Sequence, residues 1–294
     1  MLSQEDKMEC DSCSQRAVFL KPNHCKQHFI EYFEEKVKNT IDEFKLVSKG
    51  EEIAVACSGG KDSTTILYLL KKFHSKVVAL AIDEGIEGYR DKTLVDLKKF
   101  CSQHNVKLEI HSFKEEYGKT LDVMLQQKNH PCTVCGTFRR YLLNNYGKKY
   151  DKIATGHNMD DESQAVMMNL LRGQTKLLSN STPITSDVKG FVQKIKPLYF
   201  CSEKEVAAYA LLKGFDVEFT ECPNLDLSYR NQVREELNEY ERKNPGTKEN
   251  ILRKHLEILK GLKAKKEDYK YCSKCGEPTS GEVCKACRLA KSFK

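Results

Sequence analysis

Short apolar runs alternate with longer amphipathic stretches through the first two thirds of the chain. The runs lie at 52–56, 76–83, 106–113 and 151–156, and each has the length of a buried strand. The stretches between them carry apolar side chains at helical spacing, most clearly over residues 93–104. Strands that alternate with helices predict an α/β fold, in which right-handed crossovers build a parallel sheet.

The pattern becomes helical after about residue 200. Residues 202–214 form an amphipathic stretch, and two further helical stretches at 228–244 and 248–263 are separated by Pro-Gly-Thr at 245–247. We therefore predict a helical extension that follows the α/β domain.

The cysteines are concentrated near the two ends of the chain. There are thirteen, an odd number, and the chain shows no apolar signal segment, so metal or redox chemistry is favoured over a disulfide framework. Each end contains two ligand pairs with two residues inside each pair, which lets two tight turns hold one tetrahedral zinc ion. The predicted ligands are Cys10, Cys13, Cys25 and His28 (with His24 as an alternative to His28) and Cys272, Cys275, Cys284 and Cys287.

Four units follow from these patterns. They are an N-terminal zinc finger at 1–30, a catalytic α/β domain at 31–200, its helical extension at 201–266 and a C-terminal zinc finger at 267–294. The two end segments are too short for a core of their own, so a bound metal would supply most of their folding energy.

Composition and charge set only broad limits. Hydrophobic residues make up 39% of the 294 residues and charged residues 31%, as in an ordinary soluble protein. No apolar run reaches the ~18 residues of a membrane helix, so we expect no membrane partner and a cytoplasmic location. The net charge of +7 is compatible with a nucleic-acid partner, but a slightly basic enzyme without one would look the same.

A glycine-rich loop at residues 57–63, CSGGKDS, separates a predicted strand from a predicted helix. Such a turn forms an anion site, because backbone N–H groups and the helix dipole both face the ligand. Gly59 and Gly60 would let the backbone approach a phosphate, and Lys61 adds a charge. The loop is not a Walker A motif, because Asp62 follows the lysine. A turn that binds nothing is the alternative.

This loop resembles the PP-loop of the ATP pyrophosphatases, which cleave ATP between its α and β phosphates. The resemblance extends to Ala-Ile-Asp at 81–83 and to ATGHNMDDESQ at 154–164. It implies the PP-loop fold, of the adenine nucleotide alpha hydrolase-like type, with ATP and Mg²⁺ as ligands. Asp160 and Asp161 would hold Mg²⁺ or act near the reacting oxygen, although adjacent acids also occur at solvated helix starts. The implied nucleotide site comprises Ser58, Gly59, Gly60, Lys61, Asp62, Ser63, Ala81, Asp83 and Gly156.

A third group of cysteines distinguishes among PP-loop enzymes. Cys132 and Cys135 form a pair that alone would fit a zinc half-site or a redox pair, and Cys222 stands apart. Together the three resemble the tRNA thiolases of the TtcA/TtuA group, in which three cysteines hold a [4Fe–4S] cluster and leave one iron without a protein ligand. The terminal fingers resemble the TtuA/Ncs type of tRNA 2-thiouridine synthetase, because the TtcA type lacks them.

The resemblance implies ATP-dependent tRNA thiolation. The enzyme would adenylate the C2 oxygen of a uridine, and sulfide on the open iron would replace it, giving 2-thiouridine, AMP and pyrophosphate. Cys132, Cys135, Cys222 and Asp161 would be the catalytic residues, with Asp161 in proton transfer or metal positioning. Relatives take sulfur from a ubiquitin-like carrier with a C-terminal thiocarboxylate or from inorganic sulfide. We also expect a homodimer.

The sequence leaves several alternatives. Thiolation could use a cysteine persulfide without a cluster or could act on a cytidine, and the uridine could be at position 34 or 54. Other classes are a zinc-finger nucleic-acid-binding protein with an inactive PP-loop and an amidotransferase partner. Candidate RNA contacts are the fingers and Arg139, Arg140, Lys148, Lys149 and Arg172. Many relatives carry lysine just after the cysteine pair, and arginine would not take over a proton-transfer role.

Overall fold

The N-terminal module is a small hairpin followed by a long helix. The computed structural model describes residues 8–126, 130–217, 222–224, 229–261 and 269–293. Strands β1 (Glu9–Cys10) and β2 (Cys13–Arg16) are antiparallel, and Cys25 is the N-cap of helix α1 (Lys26–Glu43). Helix α1 buries Phe29, Phe33 and Val37 in the main apolar cluster, which fixes the module to the domain. It runs without a break across the predicted boundary between residues 30 and 31.

Five parallel strands form the central sheet. They are β3 (Ile53–Ala56), β4 (Val77–Asp83), β5 (Lys107–Ser112), β6 (Lys152–Thr155) and β7 (Gln193–Ile195). Their order across the sheet is β5-β4-β3-β6-β7, and every neighbouring pair is parallel. The predicted parallel sheet is confirmed. Strand β7 is missing from the prediction because three residues are too few to show an alternating pattern.

Helices cover both faces of this sheet. They are α2 (Lys61–Phe73), α3 (Arg90–Gln103), α4 (Phe113–Tyr117), α5 (Leu121–Leu125), α6 (Pro131–Gly147), α7 (Met159–Leu171), a 3₁₀ helix (Thr175–Asn180) and α8 (Glu203–Lys213). Ile53 and Val55 of β3 face one apolar cluster and Ala54 faces another, as expected for a strand buried on both sides. The strand order reverses between β3 and β6, and α2 and α7 begin at that switch point, where ligands of such sheets bind.

An ion pair joins the helix of the N-terminal module to α8. Lys36 of α1 places Nζ 2.7 Å from Oε1 of the buried Glu205. The same Glu205 carboxylate closes the capping box of α8 by accepting the Ser202 N–H at 2.6 Å. Helices α1 and α8 are therefore fixed to each other by a charge that is also needed to start α8.

The predicted helical extension comprises α8 and two further helices, α9 (Tyr229–Lys243) and α10 (Thr247–Gly261), both of which pack on α7. A buried ion pair between Lys248 and Asp160 joins the start of α10 to the start of α7. The predicted boundary between residues 266 and 267 lies outside the described residues. Within the described part of the chain, no helix has both the length and the apolar character needed to cross a membrane.

The C-terminal module contains β8 (Lys270–Tyr271), β9 (Pro278–Thr279) and α11 (Lys285–Lys291). It packs on α6, where Asn144 donates a 2.6 Å hydrogen bond to the buried Glu277 and Lys148 forms an ion pair with the same carboxylate. Cys272 and Cys284 share an apolar cluster with Phe138 of α6. The module therefore forms part of the support of α6.

Each terminal module brings four ligand atoms together. Those of Cys10, Cys13, Cys25 and His28 lie within 4.8 Å of one another, as do those of Cys272, Cys275, Cys284 and Cys287. His28, not His24, completes the N-terminal set, with Nδ1 3.2 Å from Cys10 Sγ. Burial opposes ionisation of Cys10, but backbone hydrogen bonds and His28 lower the pKa of its thiol to about 5. Backbone hydrogen bonds also lower the pKa of Cys272 to about 6. One cysteine in each set, Cys10 or Cys272, therefore favours the thiolate form that zinc binds, whereas burial and neighbouring thiols raise the pKa of Cys13, Cys284 and Cys287.

We predict one zinc ion in each of the two sets, because each offers four N or S ligands in a compact group. Elemental analysis of protein purified without added metal should find about two zinc ions per chain. Cys284→Ser should reduce this to about one. The matched control is Cys132→Ser, at an exposed cysteine outside both sets, which should keep both ions. Wild-type protein with well under one zinc per set would contradict the prediction.

Candidate active site

The loop at residues 57–63 turns directly from β3 into α2. Ser63 Oγ accepts the Ser58 N–H at 3.2 Å and lies 3.0 Å from the Gly60 carbonyl oxygen, to which it donates, so the loop is braced from inside. Gly59 has φ +83°, and a Cβ there would lie 2.3 Å from the Thr93 carbonyl oxygen. Only glycine fits this position. The N-terminus of α2 faces the loop, where its dipole favours a bound anion.

Gly156 lets the turn after β6 lie directly against this loop. A Cβ at Gly156 would lie 2.9 Å from the Asp62 carbonyl carbon and 2.9 Å from the Ser63 nitrogen, so any side chain would separate the two segments. The close approach allows Asn158 Nδ2 to donate to Asp62 Oδ1 at 3.0 Å. Asn158, which lies in the segment that resembles the second nucleotide motif, thus fixes the Asp62 carboxylate of the glycine-rich loop.

Lys61 lies between two carboxylates. Its Nζ is 3.0 Å from Asp62 Oδ2 and 2.9 Å from Glu203 Oε1. Burial opposes protonation, but these two carboxylates outweigh it and raise the pKa of Lys61. Glu203 is held in turn at the start of α8, because its N–H donates to Asp160 Oδ2 at 2.7 Å. Lys61 therefore stays protonated, and Asp62 and Glu203 hold its ammonium group in place.

Asp160 has a structural role in these contacts. One carboxylate oxygen is paired with the buried Lys248, and the other accepts the Glu203 N–H. Because both oxygens have partners inside the protein, Asp160 is poorly suited to act as the Mg²⁺ ligand for which it was a candidate. Its contacts instead hold α7, α8 and α10 together.

Asp161 has the more reactive position. It is the third residue of α7 and exchanges two hydrogen bonds with Asn158, each accepting the other's backbone N–H. Burial raises the pKa of Asp161 to about 6, and the charge of Asp62 adds to this rise. Arg230 opposes the rise from α9, with Nη1 3.7 Å from Asp161 Oδ1. Asp161 can therefore exchange a proton near neutral pH.

A cavity of about 210 Å³ joins the loop to the predicted cysteine site. Asp62, Asp161 and Cys222 all line it. The other lining residues are Asn158, Asp160, Gln164, Glu203, Arg230, Asn231 and Arg234. A larger depression of about 440 Å³ lies between α3 and residues 216–217 and contains none of the predicted site residues. The smaller cavity is therefore the candidate active site.

Cys132 and Cys135 lie in the first two turns of α6, and Cys222 lies beside them. Cys135 and Cys222 border one apolar cluster, and Cys132 Sγ is 3.6 Å from the Asn224 carbonyl oxygen. Burial is the main cause that raises the pKa of Cys135 to about 12, and the charges of Cys222 and Cys132 add to it. The three sulfurs are thus close enough to interact electrostatically.

This donor set fits an iron–sulfur cluster better than a zinc ion. A structural zinc ion takes four ligands in a compact tetrahedron, and the described residues show such sets only at the two ends of the chain. Three thiolates that interact but are spread more widely than a zinc set suit a cofactor larger than a single ion. Among such cofactors, iron–sulfur clusters are the ones that soft thiolate ligands bind.

An ion-pair network that is buried at Glu84 and Arg90 and half-exposed at Arg139 ties the cysteine helix to the loop. Arg139 of α6 places Nη1 3.6 Å from Glu84 Oε1, and Arg90 Nε lies 3.0 Å from Glu84 Oε2, an ion pair without hydrogen-bond alignment. The Arg90 guanidinium also donates to the carbonyl oxygens of Ser58 and Ile82. Burial opposes the charge of Arg139, but the neighbouring cysteines and Glu84 raise its pKa, so it stays protonated beside the cysteines.

The two residues predicted near the adenine base differ in their surroundings. The Ala81 side chain is fully buried in the main apolar cluster, so only its backbone is placed to touch a nucleotide. Asp83 is partly exposed at the end of β4, and its Oδ1 accepts the Gly85 N–H at 2.9 Å. A role for this strand in binding adenine stays a prediction.

The predicted RNA contacts differ in whether their side chains already have partners within the protein. Lys148 and Lys149 each form an ion pair with a glutamate, which neutralises their charge within the protein. Arg172 lies over the Tyr229 ring, with 4.0 Å between its guanidinium carbon and the ring centroid. Arg140 has neither a hydrogen bond nor an ion pair within the described part of the chain. Of these side chains, Arg140 is the best placed to bind a ligand.

Three residues near the site lie outside the sequence prediction. Arg230 and Lys248 belong to the helical extension, where charged side chains are typical of solvated faces, yet they contact Asp161 and Asp160. Lys194 lies in the segment 190–198, which also contains Gln193 and Lys196, so no sequence pattern distinguishes it from a solvated lysine.

The parallel sheet, with a glycine-rich loop and a lysine at its switch point, defines a PP-loop protein. The chain belongs to the PP-loop domain family, whose model matches residues 30–241. It is 39% identical to a tRNA-5-methyluridine(54) 2-sulfurtransferase of Pyrococcus horikoshii, over 96% of this chain and 93% of the relative. It is 36% identical to cytoplasmic tRNA 2-thiolation protein 1 of Danio rerio, over 97% and 88%.

A solved structure shares nearly the whole architecture. The U34-tRNA thiolase NcsA from Methanococcus maripaludis, with its [4Fe–4S] cluster, matches with a TM-score of 0.83 and 32% identity. The match covers 97% of this chain and 96% of NcsA. The predicted kinship with PP-loop tRNA thiolases of the TtuA/Ncs type is confirmed.

Gly156→Ala should weaken ATP binding roughly tenfold, because the added methyl group would force the second motif away from Asp62 and Ser63. Calorimetric titration with a non-hydrolysable ATP analogue measures this. Gly261→Ala is the matched control, because a Cβ at Gly261 meets no atom within 4 Å, and it should bind ATP as wild type does. Equal affinities for the two variants would contradict the role of this contact.

Proposed function

We propose that the protein is an ATP-dependent tRNA thiolase. It adenylates the C2 carbonyl oxygen of a tRNA uridine and replaces that oxygen with sulfur, giving 2-thiouridine, AMP and pyrophosphate. The observation that carries the proposal is the single cavity lined by Asp62, Asp161 and Cys222. The names of the relatives from Pyrococcus and Danio, and of NcsA, support the same reaction.

Adenylation converts a poor leaving group into a good one. The loop residues Ser58, Gly59, Gly60, Lys61, Asp62 and Ser63 hold Mg·ATP, and Gly156 keeps the second motif against them. Lys61 turns from Glu203 toward the departing pyrophosphate, whose charge it stabilises together with the helix dipole of α2. The C2 oxygen leaves as part of AMP.

Cys132, Cys135 and Cys222 hold the [4Fe–4S] cluster in this proposal. When bound, the cluster would hold the sulfide, taken from the sulfur donor, that replaces the C2 oxygen. Arg139 keeps a permanent positive charge beside these cysteines, which favours their thiolate form. Because arginine stays protonated, it does not take part in proton transfer.

Asp161 is the group that moves a proton. It lies in the same cavity as Asp62 and Cys222 and has a pKa of about 6. As a carboxylate it accepts the N3 proton of the uridine while the C2 oxygen attacks the α-phosphate. This makes the oxygen a better nucleophile at the moment of adenylation.

The substrate position and the sulfur source have separate tests. The named relatives act at position 54 and at position 34, and mass spectrometry of tRNA fragments from a strain lacking the gene would map the position here and distinguish uridine from cytidine. Thiolation with inorganic sulfide alone, compared with a thiocarboxylated carrier protein, identifies the donor. The homodimer stays a prediction, and the name of the Danio relative supports a cytoplasmic location.

The second candidate function is that of a nucleic-acid-binding protein whose PP-loop is inactive. The intact contacts of Ser63, Lys61 and Asp62 support an active enzyme instead. Release of AMP from ATP that depends on added tRNA decides between the two. Lys61→Ala and Asp62→Ala should abolish that release.

Each of Cys132→Ser, Cys135→Ser and Cys222→Ser should lose both the cluster and thiolation while keeping ATP affinity. Anaerobically reconstituted wild-type protein should absorb broadly near ~400 nm, as such clusters do, and each variant should not. Cys101→Ala, at a buried cysteine outside every predicted ligand set, should keep the absorbance and the activity. Full thiolation by rigorously iron-free protein would overturn the cluster and favour the persulfide route.

Asp161→Asn should reduce tRNA-dependent AMP formation at least ~100-fold, the size of a general-base contribution. Because the pKa of Asp161 is about 6, the wild-type rate should be constant above that pH and fall as the carboxylate is protonated below it. The asparagine still accepts the Asn158 N–H, so circular dichroism should show unchanged folding. A variant that retains the wild-type rate and pH profile would exclude Asp161 as the base.

A further inference from the structure

Two cations near the cysteine helix lack any acidic partner. Arg140 of α6 and Lys194 of β7 form no hydrogen bond or ion pair through their side-chain charges within the described residues. We propose that Arg140 and Lys194 together bind a phosphodiester of the RNA strand that carries the target nucleotide. This site rests on the proposed function and adds to it the contact that places the strand.

Strand register places Lys194 on the α6 side of the sheet. Val192 packs in the apolar cluster that includes Leu143 of α6, whereas Ile195 belongs to the cluster on the opposite face. Side chains two residues apart on a strand share a face, so Lys194 points the same way as Val192. The side chain is only partly buried there.

A hydrogen bond sets the position of α6 along β7. Asn144 Oδ1 accepts the Val192 N–H at 2.9 Å. Helix α6 leads into β6 by a crossover and therefore runs antiparallel to the strands. One turn back from Asn144 is about 6 Å along the helix, and two residues forward from Val192 is about 6.6 Å along the strand. These two steps bring Arg140 opposite Lys194.

The charges at this place are unbalanced. Burial, Arg140 and Lys196 all lower the pKa of Lys194, to about 8, and no acid contributes. Lys196 is neutralised by its own buried ion pair with Glu162 at 2.7 Å, so the uncompensated pair is Arg140 and Lys194. Two like charges that lie close together destabilise each other, and a bound anion would remove that cost. The planar guanidinium of an arginine can donate two hydrogen bonds to a phosphate, and the ammonium of a lysine adds a second positive charge.

The position of the two cations beside the cysteine helix fits an RNA strand better than a sulfur donor. Arg140 Nη1 lies over Gly136, one turn back along α6 and 3.0 Å from where a Cβ would stand, and Cys132 is one further turn back, about 6 Å along the helix. Because sulfur transfer requires a donor's thiocarboxylate to reach the cysteines themselves, cations one turn away suit a group that stays bound while its neighbour reacts. A phosphodiester there leaves room for the neighbouring nucleotide to reach the cavity.

His157 lies close to the same cations and adds no charge of its own. Desolvation, together with the charges of Lys196, Arg230, Arg139 and Lys194, lowers the pKa of this exposed imidazole to about 3. A single strand could thus enter along the cations and continue past His157 toward Asp161.

Binding of an unmodified tRNA transcript by the full-length, anaerobically purified protein tests the site. Arg140→Gln and Lys194→Gln should each weaken binding roughly tenfold. The slope of log affinity against log salt concentration should fall by about 0.7 for each lost cation. Lys254→Gln removes the same charge from an exposed ion pair on α10 and should leave both quantities near wild type. ATP affinity and circular dichroism should be unchanged in all three.

The outcomes separate the two proposals. Wild-type protein that neither binds tRNA nor forms AMP in its presence would overturn the proposed function. Wild-type binding with Arg140→Gln and Lys194→Gln indistinguishable from Lys254→Gln would overturn only the phosphodiester site. Variants that bind tRNA normally but need more sulfide or carrier for thiolation would overturn it in favour of a donor site. Loss of ATP affinity together with tRNA affinity would show a structural role and would also overturn it.

Discussion

The Arg90 guanidinium joins three segments that meet only at the carboxyl edge of the sheet. It donates to Ser58 in the loop and to Ile82 at the end of β4, and it pairs with the buried Glu84. Glu84 shares its carboxylate with Arg139 on the cysteine helix. The glycine-rich loop and the helix that carries Cys132 and Cys135 are therefore joined by one ion-pair network, which is buried at Arg90 and Glu84. Charges in such a network are costly to bury singly, so its members depend on one another.

Helix α6 contributes different functional residues at successive turns. Its first two turns present Cys132 and Cys135, its third turn carries Arg139 and Arg140, and its C-terminal end is bound by the C-terminal module through Asn144 and Lys148. With zinc bound as predicted, this small module would support the helix rigidly without a large additional core. The C-terminal finger is thus a structural element of the active site as well as a candidate RNA contact.

Features whose causes lie within a few residues were predictable from the sequence. The loop at 57–63, the terminal ligand sets and the parallel sheet all follow from adjacent residues or simple periodicity. Cys222 could be assigned only through the family resemblance, since one isolated cysteine has no pattern. Lys248, Arg230 and Lys194 could not be assigned, because a buried lysine and a solvated one look the same until packing supplies or withholds a partner.

The ion pair between Lys36 and Glu205 holds α1 and α8 together as one unit. One end of that unit carries metal ligands in and beside the first turn of α1, and the other carries Glu203, which holds Lys61 of the loop. Free energy gained by ordering one end is shared with the other, and such coupling acts equally in both directions. With zinc at its predicted site and ATP at its proposed one, zinc occupancy and nucleotide affinity are then linked through this pair of helices. Removing zinc would weaken ATP binding, and binding of ATP would raise the affinity for zinc.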